Sequence, residues 1–145
     1  LFPALLDNTV SAQLNHALLS TPFVRIQVAR VEHILSNAPS ALATWLSPSE
    51  LERLLRLKVP NRRDEFLSGH WLVRCLLSQH LGDTPSAWQL IERSNLPPAV
   101  LGSERLQVSI SHSGDWIAAA IANGAVGIDL EQRRERAGLM RFQHL

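Results

Sequence analysis

The stretch from Leu106 to Glu131 constrains the fold more than any other part of the chain. Leu106-Gln107-Val108-Ser109-Ile110 puts an apolar residue at every second position, as a strand with one buried face requires. Ser111-His112-Ser113-Gly114-Asp115 then supplies five small or polar residues that suit a turn. Trp116 to Ile121 is an apolar run of strand length, and Asn123-Gly124 is a two-residue hairpin signal. Ala125 to Glu131 reads as a further strand. Strands joined by such short turns pair antiparallel.

Upstream, Phe23 to Val31 alternates, with Val24, Ile26 and Val28 on one face and Arg25 and Gln27 on the other, a half-buried strand. Ser11 to Leu19 has helical spacing and is broken at Thr21-Pro22. Ser47-Pro48-Ser49-Glu50 is a helix start in which Ser47 caps, Pro48 takes the first position and Glu50 completes a capping box. The helix from Pro48 to Lys58 turns Leu51, Leu54 and Leu55 inward and leaves Arg53 and Arg56 to solvent or ligand. A longer helix, Asn61 to Leu81, stops at Gly82. Its broad apolar surface, Phe66 to Leu77, packs on a sheet, and Gly69 allows a close approach to a neighbour or ligand. Arg62, Arg63 and Arg74 read as surface residues. Ala87 to Glu92 is a strand, and Arg93 to Pro98 a loop. The expected class is α+β: an antiparallel sheet from segments near 23–31, 87–92, 106–110, 116–122 and 125–131, covered by the long helix. No repeat or linker divides residues 1–145, so one domain is expected.

Composition removes several classes of function. With 14 basic and 13 acidic residues the net charge is +1, which offers nucleic acid no general polyanion-binding surface. Hydrophobic residues at 46% and charged residues at 19% fit a globular chain. The single cysteine, Cys75, lies in an apolar helical context, so it reads as packing in a reducing, cytoplasmic compartment. No apolar stretch reaches bilayer length and no signal peptide is evident, so no membrane association is expected. The start at Leu1 suggests an excerpt of a longer product.

Asp129 and Glu131 are the most informative pair. Two positions apart on an extended strand, their carboxylates share a face and repel unless a cation lies between them. Hard oxygen ligands of this kind suit Mg2+ with substrate phosphates. The plainer reading is that strands often end in acidic residues as the chain leaves the core.

The segment S-I-S-H-S-G-D-W followed by V-G-I-D-L-E resembles the 4′-phosphopantetheinyl transferases of the longer, surfactin-type class. That pattern is a strand ending in S-H, a hairpin, then G-I-D-x-E. The likeness extends from about Ser47 to Glu131, through S-P-x-E-x-x-R and R-R-D-E-F-L-S-G-H-W-L-V-R. It implies transfer of the phosphopantetheine arm of coenzyme A to a serine of an acyl or peptidyl carrier protein. By the resemblance, Asp129 and Glu131 are the catalytic pair that holds Mg2+, Ser111 and His112 meet the nucleotide phosphates, and Arg53 clamps a phosphate. It also implies that the chain is the amino-terminal half of a pseudo-two-fold enzyme. The glutamate and lysine of the family's second half are not matched here, and a lone half is expected to expose an apolar seam and to dimerise through it.

Two positions depart from the family pattern. Leu96 stands where a G-K-P lysine would approach the phosphates, leaving Arg93 to compensate, and His70 stands where arginine is frequent. A degenerate, non-catalytic module that binds a carrier protein or partner is therefore an alternative. A hydrolase using Ser111 or Ser113 with His112 is a poorer one, because adjacent strand residues point apart and no G-x-S-x-G elbow is present.

Overall fold

A computed structural model describes residues 20–133, and the expected helix at Ser11–Leu19 lies outside them. Strand β1, Val24–Arg30, leads directly into α1, Val31–Asn37. After a short 3-10 turn come α2, Pro48–Arg56, and the long α3, Pro60–Leu81. Four strands follow: β2, Leu90–Arg93; β3, Leu96–Val100; β4, Gln107–Ser113; and β5, Trp116–Ala122. They form two antiparallel sheets, one of order β1-β5-β4 and a two-stranded one of β2 and β3. The described residues form a small α+β domain.

Both principal helices begin and end where the sequence places them, to within two residues. The Ser47 hydroxyl accepts the Glu50 amide, the Glu50 carboxylate accepts the Ser47 amide, and Pro48 opens α2. Gly82 ends α3 with a φ of 89°, open to glycine at no steric cost. Leu54 is buried, but Leu55, expected inward, is 78% exposed. The inward stripe of this short helix is only as wide as Glu50 and Leu54, flanked by Leu51.

The central strand β5 sets the core. Ile117, Ala119 and Ile121 are fully buried and face α3, together with Val108 and Ile110 of β4. The close approach at Gly69 is to this sheet: a Cβ there would lie 2.8 Å from Ile110 Cγ2. From Ser68 to Arg74 every residue of α3 is buried, because the sheet covers one side while α1, α2 and β2 close the other.

Four strand expectations need correction. The turn after Ile110 is shorter than the run of polar residues suggests. Ser111, His112 and Ser113 continue β4, and the chain reverses in Gly114-Asp115, where Gly114 has a φ of 57°. The apolar alternation of β1 faces outward: Val24, Ile26 and Val28 are about half exposed, at 50, 58 and 49%. Phe23 fixes that parity, since its ring packs on His80 at 4.1 Å and sends Gln27 and Ala29 inward with it. Pro97 and Pro98 lie in β3 rather than a loop. A strand outside the main ladder tolerates prolines that donate no hydrogen bond, and Ser94-Asn95 makes the turn with Asn95 at a φ of 58°.

The last correction concerns Asn123-Gly124, which does not close a hairpin. The Asn123 side chain accepts the Phe23 amide at 2.9 Å and donates to the Thr21 carbonyl at 2.7 Å, fastening the end of β5 to the start of β1. From Ala125 to Arg133 the chain enters no sheet ladder. Instead its amides from Ile128, Leu130 and Gln132 donate to the hydroxyls of Ser109, Ser111 and Ser113, at 3.1, 3.0 and 2.9 Å. Alternate serines on one face of β4 thus act as a side-chain ladder for a chain running the same way across it.

Candidate functional site

The serine ladder positions the acidic pair. With Ile128 and Leu130 half-buried, the intervening Asp129 and Glu131 are exposed, which puts both carboxylates on the solvent side of the tethered segment. The Ser111 hydroxyl, which accepts the Leu130 amide, is also 3.5 Å from Asp129 Oδ1. Two hard carboxylates on a held backbone fit Mg2+ when ligand phosphate and water complete its shell. Among the described residues no group of three or more His, Cys, Asp or Glu is gathered for a metal.

A groove lies between α2, α3, β3 and β4. One part of it, about 380 Å3, is lined by Arg53, Arg62, His70, Glu92, Leu96 and His112, among others. An adjoining part of about 540 Å3 adds Arg56 and Arg93 and shares Arg53, Glu92 and Leu96. Arg53, Arg93 and His112 therefore meet along one groove, whereas Ser111, Asp129 and Glu131 belong to the outer side of β4. Ser111 and His112, adjacent on a strand, point to opposite faces. Arg56 is paired with Glu52, and Arg93 Nε donates to the Pro97 carbonyl at 2.9 Å, which fixes that guanidinium against the β2–β3 turn. His112 Nδ1 is 3.5 Å from Glu65 Oε2. Leu96, 59% exposed, adds an apolar wall.

Beneath the groove is a buried polar cluster that the sequence reading missed. Arg74, expected at the surface, is fully buried, and so is Glu50. Glu50 takes hydrogen bonds from the Ser47 amide, from His70 Nδ1 at 2.6 Å and from both terminal nitrogens of Arg74. Burial pushes its carboxyl up, but the hydrogen bonds and charges of His70 and Arg74 outweigh this and hold it at about 2. Arg74 Nε donates to the Trp88 carbonyl, and its plane lies over Trp45, 5.1 Å from the ring centre. Arg63, also expected to be solvated, closes the end of α2 by donating to the Leu54 and Leu57 carbonyls. The signal available in the sequence was Glu50 at the third helical position with arginine and histidine downstream, a combination too common to single out.

On the other side of His70, Nε2 is 3.2 Å from Glu92 Oε1. The two atoms are close but not aligned as a hydrogen bond, and this buried oxygen has no hydrogen-bond partner among the described residues. Burial raises the Glu92 carboxyl. The charge of His70 opposes this, that of Glu50 adds to it, and that of Arg53 opposes it. Cys75 is half-buried, and burial pushes its thiol up, away from the reactive thiolate.

The fold and site define a small α+β domain with an arginine-lined groove on one side of β4 and an exposed carboxylate pair tethered on the other. No protein-family model matches the sequence, and no curated protein is significantly similar to it. No helix among the described residues is long and apolar enough to cross a membrane.

Proposed function

We propose that this chain is the amino-terminal, nucleotide-binding half of a 4′-phosphopantetheinyl transferase, acting in the cytoplasm on an acyl or peptidyl carrier protein with coenzyme A as donor. The observation that carries the reading is the presentation of Asp129 and Glu131 to solvent on a segment that Ser109, Ser111 and Ser113 tether. Mg2+ held by this pair would offset the pyrophosphate charge. Arg53 and Arg93 suit phosphate through the paired donors of their guanidinium groups, and His112 supplies a further donor. Ser111 serves by orienting Asp129. In the transfer, the carrier serine oxygen bonds to the β-phosphorus as the bond to adenosine 3′,5′-bisphosphate breaks. No residue of this chain is assigned the role of taking the serine proton. Two such halves would enclose the ligand, and the outward Val24, Ile26 and Val28 give a lone half an apolar face through which to dimerise.

The reading is tested by thermal unfolding with coenzyme A and Mg2+. Together they raise the midpoint of the wild-type chain and leave Asp129→Ala and Glu131→Ala unchanged. Equal stabilisation of all three proteins contradicts it.

A second reading, a non-catalytic module that binds a carrier protein or partner, is favoured by Leu96, which offers the groove an exposed apolar side chain and no charge. It requires carrier-protein binding that is indifferent to Mg2+.

A further inference from the structure

Asn123 is the only asparagine in the chain that glycine follows, and the function proposed above makes no use of the pair. Its carboxamide is held at both ends, one residue past β5. Oδ1 accepts the Phe23 amide at 2.9 Å, and Nδ2 donates to the Thr21 carbonyl at 2.7 Å. Gly124 is unrestrained by comparison. It is exposed, and its amide makes no hydrogen bond among the described residues. No atom beyond its chain neighbours lies within 4 Å of the place a Cβ would take. An open backbone nitrogen therefore stands next to a carboxamide that two hydrogen bonds hold in place. With no Cβ, glycine also reaches the conformation that ring closure needs more easily than any other residue.

We propose that Asn123 is a site of spontaneous covalent modification, that its clasp on Thr21 and Phe23 restrains the reaction in the folded chain, and that the product no longer fastens β1. The Gly124 nitrogen bonds to Asn123 Cγ and gives up its proton, and the carboxamide nitrogen leaves as ammonia. Water then opens the cyclic imide at Cγ to give aspartate, or at the Asn123 backbone carbonyl to give isoaspartate. Attack requires Cγ to turn toward the Gly124 nitrogen, which breaks the clasp, so only locally opened molecules react. Either product carries a carboxylate, which accepts hydrogen bonds and donates none. The Thr21 carbonyl thus loses its donor and meets a negative charge instead. Isoaspartate also adds a carbon to the main chain, which displaces the acceptor of the Phe23 amide. Phe23 seats β1 through its ring on His80, so the modification acts on the strand as well as on its approach. Each opening that goes on to react leaves a permanent mark.

The test incubates the whole chain at mildly alkaline pH, folded and in urea, and follows Asn123 by peptide mass mapping. Conversion is expected in urea, and conversion slower on the order of tenfold or more in the folded chain. Gly124→Ala, for which the structure has room, should keep the clasp and slow the reaction in urea. The modified chain is separated by the negative charge it has gained. Its Phe23 amide should exchange hydrogen faster than in the parent, while Ala119 at the centre of β5 stays protected. Equal rates folded and in urea, no conversion of Asn123 in urea, a Gly124→Ala chain that reacts as fast as wild type, or unchanged Phe23 exchange in the modified chain would each overturn the proposal. None of these readouts uses coenzyme A or Mg2+, so failure of the transferase reading is seen separately.

Discussion

The Arg74 guanidinium lies across the Glu50 carboxylate, with Nη1 2.9 Å from Oε2 and Nη2 2.5 Å from Oε1, both side chains out of contact with water. The pair joins the first turn of α2 to the middle of α3, and through the Trp88 carbonyl it reaches the approach to β2. Arg53, one turn along α2 from Glu50, takes its place over the groove from this anchorage.

Breaking the pair on one side leaves a buried charge unpaired. Glu50→Gln and Arg74→Met are each expected to lose about 3–5 kcal/mol of stability. Urea unfolding of the single variants and of the double variant measures this. A double variant no worse than either single one is the expected sign of coupling, whereas additive losses contradict it.

The same carboxylate predicts an acid limb. Its folded value of about 2 lies below the 4.5 of an unperturbed glutamate. Such a depressed acid contributes stability that is fully present above the unfolded value and is lost as pH falls through the folded one. The loss should run from about pH 4.5 down to about pH 2 and amount to about 3 kcal/mol. Glu92, shifted upward, has the opposite sign and stabilises at low pH, losing its contribution as pH rises through its folded value. Urea midpoints between pH 5 and pH 2 check the account. Wild type falls steeply there and Glu50→Gln does not, while parallel curves contradict it.

Gly69 allows α3 to touch β4. With Ile110 Cγ2 2.8 Å from the place of a Cβ, and that methyl borne on a branched carbon, Gly69→Ala must move the strand or the helix. A loss of about 1–3 kcal/mol is expected. Adding Ile110→Ala should make the glycine change less costly, by thermal unfolding of the double-mutant cycle. A Gly69→Ala protein as stable as wild type contradicts the close approach.

The serine ladder makes a local prediction. Ser109→Ala, Ser111→Ala and Ser113→Ala each remove the acceptor of one amide, in order Ile128, Leu130 and Gln132. Each is expected to cost about 0.5–1.5 kcal/mol. Hydrogen exchange at the matching amide should quicken while β5 stays protected. Unchanged exchange at all three amides would show that something other than the serines holds the segment.

Local signals in the sequence carried the helices well. Ser47, Pro48 and Glu50 define the start of α2, and Gly82 the end of α3, because capping chemistry is written into neighbouring residues. The strands were legible as segments but less so in their faces and partners. Val24, Ile26 and Val28 alternate as a buried face would, yet Phe23 packed on His80, more than fifty residues away, turns them outward. Asn123-Gly124 has the composition of a hairpin turn, but the side chain of Asn123 binds the chain before β1 instead. Of the site residues, Arg53, Arg93 and His112 do meet along one groove, while Ser111 belongs with Asp129. The buried Glu50–Arg74 pair and its His70 link were beyond reach, because residues 20 or more apart in sequence meet only through tertiary packing.

The most direct test of the central claim is a calorimetric titration of this chain with coenzyme A, first in Mg2+ and then in EDTA, with Asp129→Ala as control. The account predicts binding heat in Mg2+ that disappears both in EDTA and in the variant. Heat that persists unchanged in EDTA, or no heat under any condition, would contradict it.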